Sequence, residues 1–312
     1  MNNMMVKTDR KPQELTQTVI TSFIKFLDVN PLTVKSYKSG ISYFMKFLQG
    51  KKVKAPVRDD IISFKKYLID GGKSPATVAL YLSALRRFFA WTNAENIYPD
   101  ISIGIKAPKQ DKGHKRDYLS GKMIAEVLDT ANRNSLEGLR NYAIMAVMST
   151  CGLRTVEIVR ANVEDVRNLG GITVLYVQGK GRNDKKEFVH LTAPVLQAIN
   201  DYLKARGHVK GNAPLFASCS RRNKGGRLTT RTISSVCKSA MIQAGYNSSR
   251  LTAHSLRHSA VTLALMAGQS LSEVQAFARH SNIQTTQIYA HNVDRLKSAC
   301  ESAITKSIFL RL

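Results

Sequence analysis

The sequence predicts a mostly α-helical protein with a small antiparallel β-sheet, arranged as two domains. Three observations carry that expectation. Apolar residues recur three and four apart through most of the 312 residues, which is the period of an amphipathic helix. One pair of apolar, β-branched runs, at 172–177 and 187–191, flanks a glycine-rich turn and reads as a hairpin. Between Asn93 and Arg116 the helical period lapses among Pro99, Gly104, Pro108 and Gly113, as happens at a domain boundary. The expected organisation is a helical domain at residues 1–93, a basic linker at 94–116 and an α+β domain at 117–312.

Composition narrows the partner. Lys and Arg number 47 against 22 Asp and Glu, a net charge of +25. A compact fold carrying that excess repels itself unless it meets a polyanion, with nucleic acid the first candidate and an anionic membrane surface the second. No apolar run approaches the roughly 20 residues that span a bilayer. The first residues, Met1 to Lys7, lack the apolar stretch of a secretion signal. Cys151, Cys219, Cys237 and Cys300 are scattered without a CxxC pair, which fits a reduced interior better than a disulfide or zinc site. A cytoplasmic protein is expected.

Four helices are expected in the N-terminal domain. Val19, Ile20, Phe23, Phe26 and Leu27 mark the first. Val34, Tyr37, Ile41, Phe44 and Leu48 mark the second, which starts after Pro31 and stops at Gly50. Ile61, Ile62, Phe64, Leu68 and Ile69 mark the third. Ser74-Pro75, a cap followed by proline in the first turn, opens the fourth, with Val78, Tyr81, Leu82, Leu85 and Phe88 on its apolar face. Short loops make a compact bundle. Its polar faces are cationic, and Lys35, Lys38, Lys73, Arg86 and Arg87 are the candidates for phosphate contact. For any one of them a solvated surface is the plainer reading. The linker adds Lys112, Lys115 and Arg116. Two domains joined by such a strand can close as a C-shaped clamp around a duplex.

In the C-terminal domain Ser120 caps a helix carrying Met123, Ile124, Val127 and Leu128. Residues 136–150 are apolar on most sides and form the buried core helix. That helix stops at Cys151-Gly152, just before Arg154. Locally, Arg154 reads equally well as a helix-end residue paired with Glu157. The hairpin tip places Lys180 between two glycines and Arg182 just beyond. A helix at 193–206 and a basic loop with Arg221, Arg222 and Arg227 follow, the loop resembling a second phosphate-contacting strip. Val236, Ala240 and Met241 then mark a further helix.

The stretch 251–292 concentrates His, Arg and Tyr, with Glu273 its one carboxylate. His254 and Arg257 are three apart at a helix start, so they project from one face, where free amides favour an anion. Ser270 to Glu273 fits a capping box that opens the next helix. His280 follows it, and a short connecting helix brings Tyr289 back to the same pocket. Two guanidinium forks grip non-bridging phosphate oxygens. Imidazole donors add to them, each contributing about 2–4 kcal/mol as charge develops in the transition state. Tyr is a poor nucleophile at its ordinary pKa of about 10, and surrounding cations lower the cost of the phenolate. A mobile Lys can protonate the leaving 5′-oxygen. A phosphotyrosyl ester keeps the energy of the broken phosphodiester, so religation needs no ATP. The sequence has no GxxxxGK[ST] loop and no carboxylate cluster suited to two-metal chemistry, so no cofactor and no metal are expected. His254 and His258 have zinc-compatible spacing but lack the Glu of HExxH. His258 is expected to be a supporting or structural residue.

These residues carry a resemblance. The chain resembles the tyrosine recombinases, the lambda-integrase family, and most closely their Xer-like and mobile-element branch. The motifs are Cys151-Gly152-Leu153-Arg154-Thr155-Val156-Glu157-Ile158, Gly179-Lys180-Gly181, His254-Ser255-Leu256-Arg257-His258-Ser259, His280, and Thr285-Thr286-Gln287-Ile288-Tyr289-Ala290-His291. The resemblance implies a catalytic set of Arg154, Lys180, His254, Arg257, His280 and Tyr289, with Glu157 as a supporting acid. It implies a helical core-binding domain, a catalytic domain, and strand exchange on double-stranded DNA with inverted half-sites. The reaction it implies proceeds through a 3′-phosphotyrosyl intermediate and a Holliday junction, within a homotetramer. Integration or excision of a mobile element and chromosome dimer resolution are the tasks it allows, with an accessory or directionality protein as a further partner. A type IB topoisomerase and a catalytically silent DNA-binding regulator are the alternatives.

Two departures stand out. Leu-Gly usually precedes the second His, where this chain has Ala278-Arg279; the added cation is expected beside the active site or at a subunit contact. Cys151 stands where Thr is common. The stretch before Val19 is short for a separate arm-binding domain. Past Tyr289, a helix with Leu296, Ala299, Ala303 and Ile304 and an apolar end at 308–312 are expected to dock on a neighbouring protomer, packing on their own domain being the plain alternative.

Overall fold

The computed structural model describes residues 15–109, 117–179, 181–182, 184–297 and 300–309. The chain divides into two compact units, Met1–Lys112 and Gly113–Leu312.

The N-terminal unit contains α1 (Gln17–Phe26), α2 (Pro31–Gly50), α3 (Arg58–Asp70) and α4 (Pro75–Ala94). Each expected helix is present. Thr16, Asn30 and Ser74 cap α1, α2 and α4 by accepting from Val19 N, Thr33 N and Thr77 N. Phe23, Phe44, Phe64, Phe88 and Phe89 are buried at the centre. Gly40 lets α2 lie against α4, because a Cβ there would meet Tyr81 Cα at 3.2 Å.

Part of the stretch expected as linker belongs to this core. Tyr98 and Ile105 are buried in it. Tyr98 Oη donates to Pro56 O at 2.7 Å, and Thr92 Oγ1 donates to Tyr98 O at 3.1 Å. The Pro and Gly spacing that ends the helical period marks an irregular strap packed on the bundle, which periodicity alone does not separate from a free linker.

The C-terminal unit contains α5 (Gly121–Asp129), α6 (Leu136–Thr150), α7 (Thr155–Arg160), β1 (Val166–Leu169), β2 (Ile172–Val177), β3 (Glu187–His190), α8 (Ala193–Arg206), α9 (Thr230–Gln243), α10 (Ala253–Met266), α11 (Leu271–Ala278), α12 (Ile283–Lys297) and α13 (Cys300–Phe309). The sheet is antiparallel in the order β1-β2-β3. Leu175 pairs with Val166 on one side and Val189 on the other. β1 has no expectation behind it, since three of its four residues are exposed and its pattern does not alternate. Ala143 to Ser149 of α6 are all buried, as expected of a core helix. On α9, Cys237 faces the core beside Ala240 and Met241, whereas Val236 lies off the buried stripe. A separate apolar cluster of Val261, Leu265, Val274, Ala278, Tyr289 and Val293 joins α10, α11 and α12. No helix among the described residues is long and apolar enough to cross a membrane.

Candidate active site

The site is built at element ends. α6 stops at Cys151, and Gly152 turns the chain with φ +60°. Glycine suits this position, because the backbone is left-handed and a Cβ would crowd the Phe277 ring at 3.1 Å. Two residues on, Arg154 is the N-cap of α7. Its backbone N–H donates to Glu157 Oε2 at 2.8 Å, its Nη1 donates to Glu157 Oε1 at 2.9 Å, and its Nη2 donates to Arg279 O at 3.3 Å. The helix-end pairing and a phosphate-site role are thus compatible, since the pair leaves further donors on the guanidinium.

Arg257, one turn into α10, is 1% exposed. Its Nη1 donates to Gly152 O and its Nη2 to Ala278 O. Burial, with the charges of Arg154 and Arg279, pushes its guanidinium down to about 9 against the pull of Glu157 and Tyr289, so it stays charged at pH 7. His254, one turn earlier on the same helix, is exposed. His280 follows α11 and shares a hydrogen bond of 2.9 Å between Nδ1 and Thr286 Oγ1. Burial and the charges of Arg257, Arg154, Arg279 and His254 push it down to about 4, so it is neutral at pH 7.

Tyr289 lies within α12 and is 6% exposed. Its ring meets His258 edge-on, with centroids 4.6 Å apart, and stacks on His280 at 6.1 Å. His258 shares a 3.1 Å hydrogen bond between Nδ1 and Thr262 Oγ1, which fits the supporting role expected of it. Glu157 is fully buried. Burial alone would raise its carboxyl, but Arg279, the Arg154 backbone N–H, and the Arg154 and Arg257 charges hold it below the usual range. Three guanidiniums therefore share this one carboxylate, and the surplus positive charge suits a phosphodiester.

Arg154, Arg257, His280 and Tyr289 are thus brought together around Glu157 and His258. The sequence reading left Arg279 out of the catalytic set. The structure places its side chain, 6% exposed, on Glu157 Oε2 at 3.0 Å, beside Arg154 and Glu157. The break from Leu-Gly-His was the signal for it. A cleft of about 780 Å³, lined by Arg154, Glu157, Gly179, Arg182, Arg279 and His280 among others, opens between the hairpin and α11. Lys180 lies outside the described residues.

The candidates for DNA contact separate into groups. Lys35, Lys38, Lys73, Arg87, Arg221 and Arg222 are exposed, with Lys73 over the Tyr43 ring at 5.4 Å. Arg182 pairs with Glu187 at 2.8 Å. Two others have internal work. Arg86 Nη2 donates to Ile105 O at 2.5 Å. Arg227 Nη1 donates to Val159 O at 2.6 Å and its Nη2 to Asn162 Oδ1 at 2.7 Å. Lys112, Lys115 and Arg116 lie outside the described residues. Among the described residues no group of three or more His, Cys, Asp or Glu gathers to hold a metal.

Comparison with known proteins agrees with this architecture. The description of the phage integrase family matches residues 117–295, and that of the phage integrase N-terminal SAM-like domain matches residues 20–96. The tyrosine recombinase XerD of Oceanobacillus iheyensis is 30% identical over 298 residues, covering 91% of this chain and 97% of its own. The solved XerH site-specific recombinase, in a post-cleavage complex with palindromic difH substrate, superposes with a TM-score of 0.72 at 22% identity, covering 94% of this chain and 84% of its own. A lambda integrase tetramer bound to a Holliday junction superposes at 0.66 and 19% identity, covering 85% and 77%. The family description spans more than half of the sequence and a relative aligns along nearly all of it, so the chain belongs to the phage integrase family, the tyrosine recombinases.

Proposed function

We propose that this tyrosine recombinase cuts and rejoins DNA at a specific site, with Tyr289 as nucleophile and Arg154, Arg257, His254 and His280 on the scissile phosphate. The observation that carries the reading is the burial of Tyr289 against His258 and His280 in the field of Arg257, while Glu157 is the one carboxylate that the arginines share among the described residues. Cations there stabilise both the phenolate and the charge that develops on the phosphorane. Tyr289 releases its phenolic proton to solvent, and its Oη bonds to phosphorus as the P–O5′ bond breaks, giving a 3′-phosphotyrosyl ester and a free 5′-hydroxyl. Lys180 supplies the proton to the 5′-oxygen. Attack by the 5′-hydroxyl of a partner strand reverses the step and exchanges strands without ATP.

The XerH complex with a palindromic substrate and the lambda integrase tetramer on a Holliday junction support extending this to inverted half-sites and to a tetramer acting through a Holliday junction. The described part of α13 supports tail docking between protomers. Ile304 and Ile308 are each 56% exposed and Phe309 is 76% exposed, an apolar surface with cause to be covered.

The test selects binding sites from random duplexes with Tyr289→Phe protein, then presents them nicked beside the scissile phosphate. Wild type is expected to leave a denaturant-resistant protein–DNA adduct, and Tyr289→Phe to bind without one. Absence of a wild-type adduct on sites that it binds would overturn the enzyme reading in favour of a silent regulator.

A further inference from the structure

We propose that Arg279 is a positioning residue, whose side chain fixes the turn that seats both phosphate-site arginines. The proposal rests on the reading of Arg154 and Arg257 as phosphate ligands.

The turn is the end of α11. The carbonyl of Ala278 accepts from Arg257 Nη2, and the carbonyl of Arg279 accepts from Arg154 Nη2. The side chain of the next residue, His280, enters the same site. One short piece of backbone therefore sets three site residues. The carbonyls are free to do so because the helix ends here, and the last turn carries the negative end of the helix dipole, which favours guanidinium partners.

The helix ends through a left-handed residue, and that residue is Arg279, with φ 53° and ψ 48°. A non-glycine residue in that conformation costs about 1 kcal/mol, and glycine would adopt it freely. What this chain gains in exchange is the side chain. Arg279 Nη1 donates to Phe277 O at 2.8 Å, and its Nη2 to Glu157 Oε2 at 3.0 Å and to Gly152 O at 3.3 Å. The guanidinium thus ties the α11 turn to the α6–α7 turn, the two pieces that hold Arg257 from opposite sides. It shares Glu157 Oε2 with the Arg154 backbone N–H, so the Arg154 guanidinium meets this carboxylate through Oε1 alone. That leaves Arg154 joined by one Nη rather than a closed fork, with donors to offer a phosphate. Among the described residues buried Arg279 Nε has no hydrogen-bond partner, so the three other contacts set the placement.

The test measures single-turnover cleavage by Arg279→Gly and Arg279→Lys on the nicked site, with DNA affinity and the NMR titration of His280. Glycine suits the left-handed backbone, so the variant is expected to fold. Its Kd is expected to stay within about threefold while its cleavage rate constant falls about ten- to hundredfold, the scale of losing placement without losing contacts. His280, relieved of one positive neighbour, is expected to titrate higher. Lysine keeps the charge but cannot reach three carbonyl and carboxylate partners as a fork, so His280 is expected to titrate nearer to wild type while cleavage remains slow. Wild-type cleavage by both variants overturns the proposal. So does a Gly variant whose loss appears only in Kd. If Arg279→Gly fails to fold, Arg279→Lys decides alone: slow cleavage sustains the proposal and a wild-type rate ends it. Failure of wild type itself to form the adduct is a different result, and rejects the underlying function.

Discussion

The His258 ring meets the Tyr289 ring edge-on, with centroids 4.6 Å apart and planes at 69°. His258 is itself held by Thr262 at 3.1 Å and stacked on Tyr118 at 6.4 Å. On the proposed function, it orients the ring of Tyr289 rather than the phosphate. His258→Ala opens space beside Tyr289 and is expected to cost about 2 kcal/mol in urea unfolding. Adduct formation is expected to slow about tenfold through loss of orientation, with Kd for DNA unchanged. A loss confined to Kd would place His258 on the DNA instead.

His280 makes stability and binding pH-dependent. Its folded pKa is depressed to about 4, against an ordinary value of about 6.5. Between those values the unfolded chain binds a proton that the folded chain does not, so stability falls as pH drops through that window. His280→Gln is expected to flatten the melting temperature across it. A phosphodiester among Arg154, Arg257 and Arg279 opposes the positive charges that depress His280. DNA binding near pH 5 is therefore expected to take up protons, read from the buffer dependence of the calorimetric heat. No difference in uptake between wild type and His280→Gln would remove this assignment.

Arg160, in the last turn of α7, donates from Nη1 to Gly179 O at 2.9 Å. The short helix capped by Arg154 thus also holds Gly179, the residue before Lys180 in the sequence. Arg160→Ala and Lys180→Ala are both expected to slow cleavage about a hundredfold, the scale of a lost general acid. A 5′-thio leaving group needs no proton and is expected to restore both. A defect in Lys180→Ala that persists with the thio substrate would remove Lys180 from the acid role.

Charges on the N-terminal helices divide by partner. Lys35 and Lys38 are exposed, whereas Arg86 holds the Ile105 carbonyl. Each Lys→Ala is expected to lower the salt slope of DNA binding by about 1 and leave melting unchanged. Arg86→Ala is expected to loosen the strap at 97–105 and lower unfolding stability by about 1–2 kcal/mol. Equal melting for all three variants would contradict this division.

The apolar surface of α13 predicts an effect on assembly. Ile308→Ser with Phe309→Ser removes exposed side chains, so unfolding of the monomer is expected to change by less than about 0.5 kcal/mol. Sedimentation on DNA is expected to shift from multimer to monomer. An unchanged multimer would assign the tail to its own domain.

The sequence by itself determined the helix order, the hairpin, the core helix 136–150 and the kind of chemistry. Those are local properties: apolar period, cap residues such as Ser74 and Ser270, and motif spacing around Arg154, His254, Arg257, His280 and Tyr289. It also flagged Arg279 as a departure without saying where its charge goes. The tertiary structure decided what depends on distant partners. Arg279 turns inward because Glu157, 122 positions away in sequence, is buried with charge to match. Arg86 and Arg227 serve carbonyls instead of solvent because a strap and a loop pass beside them. The segment after Ala94 joins the N-terminal core because Tyr98 and Ile105 find apolar cover there. Long polar side chains choose partners by proximity in space, and that choice leaves no periodic trace in the chain.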